Sequence, residues 1–403
     1  MSEMSPVLRR IQHGRLCTGC GACAAISEKI RIAQSEDGFN RPIASDALSS
    51  SEDQAIEAIC PGLGIKTDQH RKTSPFWGRI IGTRTGHATD ASLRHRASSG
   101  GALSAILVHL LKTGSVDCIV QTTADPADPV ANRTVVSTSR DQIANAAGSR
   151  YAPSSPLADI ERHLATGKRF AFVGKPCDVA ALRAMACRDP RIGQSVVCMI
   201  SFFCAGVPSR RGADAILQRL SVNPCFLKSF SYRGNGWPGA ATAELNDGSK
   251  RAMSYRDSWG GILSKHVQFR CKICADGVGS TADIVCADAW HGDEQGYPSF
   301  SEAKGRSLIL SRTDLGEEIL QAAIDAREIA VQPLDVSEIA RMQPGQVSRT
   351  RMLVARLAAL WLTAQPRPSY VGFDLLPAAR GASYLMLLRN FLGTGRRVIL
   401  GRR

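Results

Sequence analysis

No stretch of this 403-residue chain approaches the roughly 18 uninterrupted apolar residues of a membrane-spanning helix. The segment from Met1 to Gly14 lacks the apolar run of a secretory leader, so a cytoplasmic location is expected. Zinc-finger spacing, RNA-binding aromatic motifs, internal repeats and low-complexity tracts are also missing. Acidic residues are in short supply: 36 Asp and Glu stand against 50 Lys and Arg, a net charge of +14. Such an excess admits nucleic acid, an anionic membrane surface, or an acidic partner or cofactor. It is spread widely, with a notable concentration of arginine in the last fifteen residues, and no nucleic-acid partner is expected.

What is present fits a folded protein of two or more domains, with 44% hydrophobic and 21% charged residues. Thirteen cysteines are many for a chain in a reducing compartment. Clustered thiols there suggest metal or redox chemistry rather than disulfides.

The organisation reads in three parts: a cysteine-bearing module at 1–70, an α/β domain at 71–330 and a helical extension at 331–403. Asp46–Asp53 and Asp68–Pro75 read as loop or linker. Leu103, Ile106, Leu107, Leu110 and Leu111 follow helical spacing, which predicts a helix over Ser98–Thr113 capped by Ser98 or Ser99. Strands are expected at Val116–Gln121, Arg169–Val173, Ser195–Phe203 and Ser307–Leu310. Helices are expected at Leu157–Ala165, Val179–Ala186, Arg210–Leu220, Asp257–His266 and Gly316–Ile324. Phe230–Ser254, with Gly234, Gly236 and Pro238, reads as a β excursion. This alternation predicts an α/β fold with a mainly parallel mixed sheet flanked by helices.

The tail from Ser337 is rich in Leu, Ala and Arg and is broken at Pro366, Pro368 and Pro377. Arg389, Arg396, Arg397, Arg402 and Arg403 crowd its end. Tyr384–Phe391 with these arginines reads either as a segment for a membrane surface or partner protein, or as a helix packed on the domain.

Cys17, Cys20 and Cys23 have the two-residue gaps of a bacterial ferredoxin loop. Gly19 and Gly21 permit the tight turns that aim backbone amides at sulfur. Cys60, followed by Pro61, supplies a fourth ligand. Zinc usually takes cysteine pairs rather than an even triplet, so a [4Fe–4S] cluster in a ferredoxin-like module is the expectation. Cys177 and Cys204 follow the ends of predicted strands, and Cys271-Lys272-Ile273-Cys274 is a tight pair. Strand ends are where ligand sites gather in open sheets. Spacing alone leaves a second metal site and ordinary buried cysteines equally open.

Several motifs then fall in a recognisable order. They are Ser99-Gly100-Gly101, Gly148-Ser149-Arg150-Tyr151, Gly174-Lys175-Pro176-Cys177, Cys204-Ala205-Gly206-Val207-Pro208, Tyr232-Arg233-Gly234, Cys271–Cys274 and Ala282–Trp290. This ordered set resembles the beta-subunit family of coenzyme F420 hydrogenases and dehydrogenases, over residues 15 to about 325. Ala287, Cys286 and Lys175 depart from the pattern.

The resemblance implies a flavin, expected to be FAD, exchanging electrons with iron–sulfur clusters. By motif position it implies Cys177, Cys204, Cys271 and Cys274 as a second [4Fe–4S] set. It implies flavin contacts at Ser99, Gly100, Gly101, Gly148, Ser149, Arg150, Tyr151, Lys175 and Asp288. The expected activity is transfer of electrons between the clusters, FAD and a small-molecule substrate or F420-like deazaflavin. Ferredoxin or a partner redox subunit would serve as electron donor. The alternative is a non-catalytic electron-transfer or redox-sensing subunit. His87, His95, His266 and His291 are available as proton donors, and no pattern singles one out.

Overall fold

The computed structural model describes residues 5–67, 74–292 and 299–401. Part of the expected linker, residues 68–73, lies outside the described residues. An eight-stranded sheet dominates the fold. Its strands are β1 (Gly82–Ala88), β2 (Cys118–Ala124), β3 (Asn132–Ser137), β4 (Phe170–Val173), β5 (Val196–Phe202), β6 (Ile284–Asp288), β7 (Ser307–Ser311) and β8 (Ile329–Pro333). They lie in the spatial order β8-β1-β7-β6-β5-β4-β2-β3. β2, β4, β5 and β6 pair in parallel, and the flanking pairs are antiparallel. With β1, five of the eight strands therefore run one way. The expected mixed α/β sheet is present.

The central strands are buried on both faces, as their apolar runs require. β4 reads Phe-Ala-Phe-Val, and all four residues are buried. Phe170 and Phe172 face a core that includes Val179 and Leu182 of the helix Pro176–Ala186. Ala171 and Val173 face the opposite core, which includes Ile106 and Leu107 of the helix Ala102–Lys112 and Leu320 of Asp314–Asp325. The β excursion forms a separate three-stranded antiparallel sheet of Leu227–Ser231, Ala241–Leu245 and Lys250–Met253.

Some boundaries differ from the sequence reading. The helix expected from Ser98 starts at Ala102 behind Gly101, and neither serine caps it. The polar stretch Asp46–Asp53 is not all loop. Ser49 and Glu52 form a reciprocal capping box that starts the helix Ser50–Ile59. Asp257–His266 is helical but not α throughout: a wide-turn segment, Arg256–Ile262, tightens into Leu263–His266.

Around Cys17–Cys60 lie the helices Pro6–His13 and Ala22–Ile26 and the hairpin Ile30–Gln34/Asn40–Ala44. The tail forms the helices Pro344–Leu362, Leu375–Ala379 and Tyr384–Ile399. Between them, Ser369–Val371 pairs in parallel with Gly64–Lys66. A third core accordingly joins Leu8, Leu16 and Ile56 to Ile273 and to Leu353 and Leu360 of the tail. Among the described residues no helix is long and apolar enough to cross a membrane.

Candidate redox site

The loop Cys17–Cys23 turns through Gly19 and Gly21, at φ of 79° and 90°. These values suit glycine and strain other residues. The turns leave backbone amides facing sulfur: Gly19 N–H donates to Cys17 Sγ at 3.4 Å. The amide of Ala22 serves Cys20, and those of Gly62 and Leu63 serve Cys60. Cys60 caps the helix Ser50–Ile59, which brings it to the loop. The charge of Cys17 is felt by Cys20, Cys23 and Cys60, so the four thiols form one group. Burial, reinforced by these neighbours, pushes Cys20 up to about 12, Cys60 up to about 11 and Cys23 well above the usual thiol range.

The second set is assembled by the sheet. β4 and β5 are adjacent parallel strands. Cys177 lies just past the end of β4, in the first turn of Pro176–Ala186, and Cys204 just past the end of β5. Cys271 sits in the short helix Phe269–Lys272, and Cys274 follows it. Cys204 and Cys271 both act on Cys177, and Cys271 and Cys274 both act on Cys204. Burial is again the leading cause that raises Cys177, Cys274 and Cys204, the last to about 12. The Cys271 sulfur accepts from Val207 N–H at 3.4 Å and from Gln268 Nε2 at 3.5 Å.

Buried thiols raised this far keep their protons unless a cation replaces them, so both sets suit cationic iron. Among the described residues, no three His, Cys, Asp or Glu side chains converge as around a single metal ion. The thiolates of a cubane bind four different irons and stand farther apart than the ligands of one ion. The other cysteines have a different character. Cys187 and Cys225 are exposed, and Cys118, Cys198 and Cys286 are buried with no thiol acting on them.

Two groups link the sets. The Arg270 side chain is fully buried, with Nη2 on the Pro61 carbonyl at 2.5 Å. Its Nε and Nη1 have no hydrogen-bond partner. Its charge is felt by Cys60 of the first set and Cys274 of the second. A buried guanidinium that lies over the Tyr370 ring and has two unpartnered nitrogens, acting on thiols of both sets, fits an anionic cofactor on either side. Lys175 is the other link. Its ammonium is 2.8 Å from Asp178 Oδ2 and 2.7 Å from Ser154 Oγ. Burial opposes this charge, but Asp178 and Cys177 outweigh it and hold Lys175 above its ordinary range. Asp178 in turn acts on Cys20.

Beyond Cys204 a cavity of 290 Å³ opens at the ends of β4, β5 and β6. That is near the lower end of ordinary ligand pockets, about 300–1,000 Å³. Ser99, Gly101, Gly148 and Ser149 line it, together with Arg150, Tyr151, Lys175 and Asp288. Gly100 lies behind the wall instead. Its amide donates to Ser307 Oγ at 3.0 Å, and a Cβ there would meet the Gly86 carbonyl at 2.6 Å. The Ser99 hydroxyl is held by the Arg306 and Ala287 carbonyls. What this motif offers the cavity is the first turn of Ala102–Lys112, which carries no side-chain cap.

Arg150 is turned inward. Its three guanidinium nitrogens bond Asn132 Oδ1 and the carbonyls of Phe230, Pro129 and Ala131, bracing the wall. Tyr151 packs on Trp259, ring centres 4.7 Å apart. Asp288 accepts from both terminal nitrogens of Arg233, at 2.6 and 2.7 Å, and from Trp237 Nε1 at 2.8 Å.

Arg233, Tyr255, Trp259 and Trp290, which are not among the expected site residues, also line the cavity. The rings of Tyr255 and Trp290 stack with centres 5.8 Å apart, and the Arg233 guanidinium lies against both, at 4.7 and 4.9 Å from their centres. The signal available was the position of Arg233 and Trp290 inside two quoted motifs. His87, His95, His266 and His291 do not line the cavity. His87 Nδ1 is paired with the Ala88 carbonyl, and His95 and His291 are exposed.

Known proteins resemble this chain in sequence and fold. Residues 83–160 match the family model for the N-terminal part of the coenzyme F420 hydrogenase/dehydrogenase beta subunit, and residues 167–337 match the model for its C-terminal part. The coenzyme F420 hydrogenase subunit beta of Methanococcus voltae is 27% identical over 258 residues, covering 62% of this chain and 82% of that protein. The chloroplastic 7-hydroxymethyl chlorophyll a reductase of Oryza sativa is 24% identical over 305 residues, covering 75% of this chain and 60% of the rice protein. A chain of the F420-reducing [NiFe] hydrogenase complex from Methanosarcina barkeri shares the fold. Its TM-score is 0.54 at 20% identity, covering 68% of this chain and 91% of that one. These relatives are oxidoreductases. The two family models together span more than half of the sequence, and the chain belongs to the coenzyme F420 hydrogenase/dehydrogenase beta-subunit family.

Proposed function

We propose that this protein is a flavin-dependent iron–sulfur oxidoreductase. Cys17, Cys20, Cys23 and Cys60 hold one [4Fe–4S] cluster in a ferredoxin-type module. Cys177, Cys204, Cys271 and Cys274 hold a second, and the cavity receives FAD. The observation that carries the reading is continuity: Cys204 belongs to the second thiol set and also lines the cavity. Clusters supply single-electron transfer, and a flavin supplies the junction with two-electron chemistry.

The chain's own groups do the rest. The uncapped helix start at Gly101–Ser104 presents amides and a positive dipole end to an anionic phosphate. Tyr151, Trp259, Tyr255 and Trp290 offer aromatic surface to a ring system. Lys175, paired with Asp178, places an ammonium at the cavity wall, where it opposes added electron density. Arg270 opposes the negative charge of both thiol sets. The substrate is a small organic acceptor or an F420-like deazaflavin. The electron donor is ferredoxin or a partner redox subunit, in keeping with the hydrogenase complex that holds the related chain.

Anaerobic purification with iron, sulfide and flavin measured together tests this. About eight iron and one flavin per chain are expected. Iron without flavin would favour the non-catalytic electron-transfer alternative. Flavin without iron would contradict both readings.

A further inference from the structure

The terminal helix Tyr384–Ile399 has two unlike sides. Asn390, Thr394 and Val398, four residues apart, form the anchored side. Arg356 donates to Asn390 Oδ1 from Nε at 3.0 Å and from Nη2 at 2.9 Å. Thr394 is buried, and Val398 packs into the third core. The other side carries Leu385, Leu388 and Leu392 at i, i+3 and i+7, with Ile399 on the same face two turns further on, at i+14. These four are 53–78% exposed. Arg389 and Arg396 border the stripe, each one position beyond a stripe leucine or its helical equivalent. Arg380 and Arg397 lie nearby in sequence, and Arg402 and Arg403 follow. No Asp or Glu occurs after Asp374. Trp361 and Leu362, at the end of the helix against which this one packs, are exposed as well.

We infer that this face docks the protein on an anionic lipid surface. An exposed apolar stripe with a cationic margin and no acid is the pattern of a helix lying in a membrane interface. Charge complementarity argues against a second copy of this chain, because a two-fold contact would set these arginines against themselves. The segment lies beyond residue 337, where the match to the family models ends. The inference stands independently of the redox reading. Docking needs no spanning segment, in line with the helix lengths described above.

Co-sedimentation of the full-length protein with lipid vesicles tests it. The probes are vesicles of phosphatidylcholine alone and vesicles containing about one third phosphatidylglycerol. At low salt the anionic vesicles should bind at least about tenfold more protein, and the difference should shrink at high salt. L385E/L388E/L392E should lose binding to anionic vesicles. R389Q/R396Q/R397Q should weaken it and remove most of the salt dependence. Circular dichroism and cofactor content of each variant confirm that folding is intact. The proposal would be overturned by no preference for anionic vesicles, or by binding that survives the triple Leu→Glu change. A vesicle-free dimer that this change converts to monomer would overturn it too, by showing that another copy covers the stripe.

Discussion

Cys17, Cys20 and Cys23 share one loop, and Cys60 caps a single helix beside it. Cys177, Cys204, Cys271 and Cys274 arrive instead from two strand ends and a short helix, brought together by the sheet. Local backbone geometry builds the first set, through Gly19 and Gly21 and the amides they release. Tertiary packing builds the second, through the adjacency of β4 and β5 and the braces on the Cys271 segment. Arg349, for example, donates to the Cys204 carbonyl at 3.0 Å and the Cys271 carbonyl at 2.8 Å. A site made by a loop announces itself in residue spacing. A site made by a fold does not show in spacing, and here only the family resemblance brought its four cysteines together before the fold did.

The sharpest way to break this comparison is to remove one thiol from each set. Cys20→Ser should lose about four iron per chain and leave the second cluster's EPR signal in place. Cys204→Ser should lose the other four and, because Cys204 lines the cavity, perturb the flavin absorption as well. A flavin spectrum that responds equally to both changes would erase the distinction.

Asp288→Asn separates the cavity from the thiol sets. It leaves Arg233 buried without its counter-charge, which should destabilise the protein by about 3 kcal/mol in denaturant unfolding. Bound flavin should fall while cluster content in the folded fraction stays constant. Arg270→Met probes the link between the sets. Loss of a buried positive charge disfavours the more negative, reduced form of each cluster. Both midpoint potentials should drop, on the order of 50 mV. A drop confined to one cluster would show that Arg270 serves that set alone.

The smallest effects concern the glycines. A Cβ on Gly21, at φ of 90°, would lie 2.6 Å from the backbone nitrogen of Ala158. On Gly206, at φ of 120°, it would lie 2.5 Å from a Val267 methyl, which has more freedom to shift. Gly21→Ala should therefore cost about 2 kcal/mol and Gly206→Ala about 1 kcal/mol in thermal or denaturant unfolding. The reverse ranking would mean that the second set is the more tightly built.

The legibility of the sequence follows the same division. β4 and β5 are visible because buried parallel strands are unbroken apolar runs. The helix Ala102–Lys112 is visible from its leucine spacing, but its start is not. Ser99 and Gly100 resemble a cap, yet they bond to the carbonyls and hydroxyl around β7, a partner that no local pattern reveals. Ser369–Val371 is hidden for a similar reason. Two prolines precede it, and its pairing partner, Gly64–Lys66, is some three hundred residues away in the chain. In the cavity, Arg150 shows how little residue type fixes a role. An arginine suited to a phosphate is turned inward on three carbonyls and an amide oxygen.

The central claim is that two cysteine sets each hold a cluster and that the second adjoins the flavin cavity. The most direct test is iron and flavin content, measured side by side in anaerobically purified wild type, Cys20→Ser and Cys204→Ser. The account predicts about eight, four and four iron per chain, with one flavin in the wild type. Four iron in the wild type, unchanged by Cys204→Ser, would contradict it.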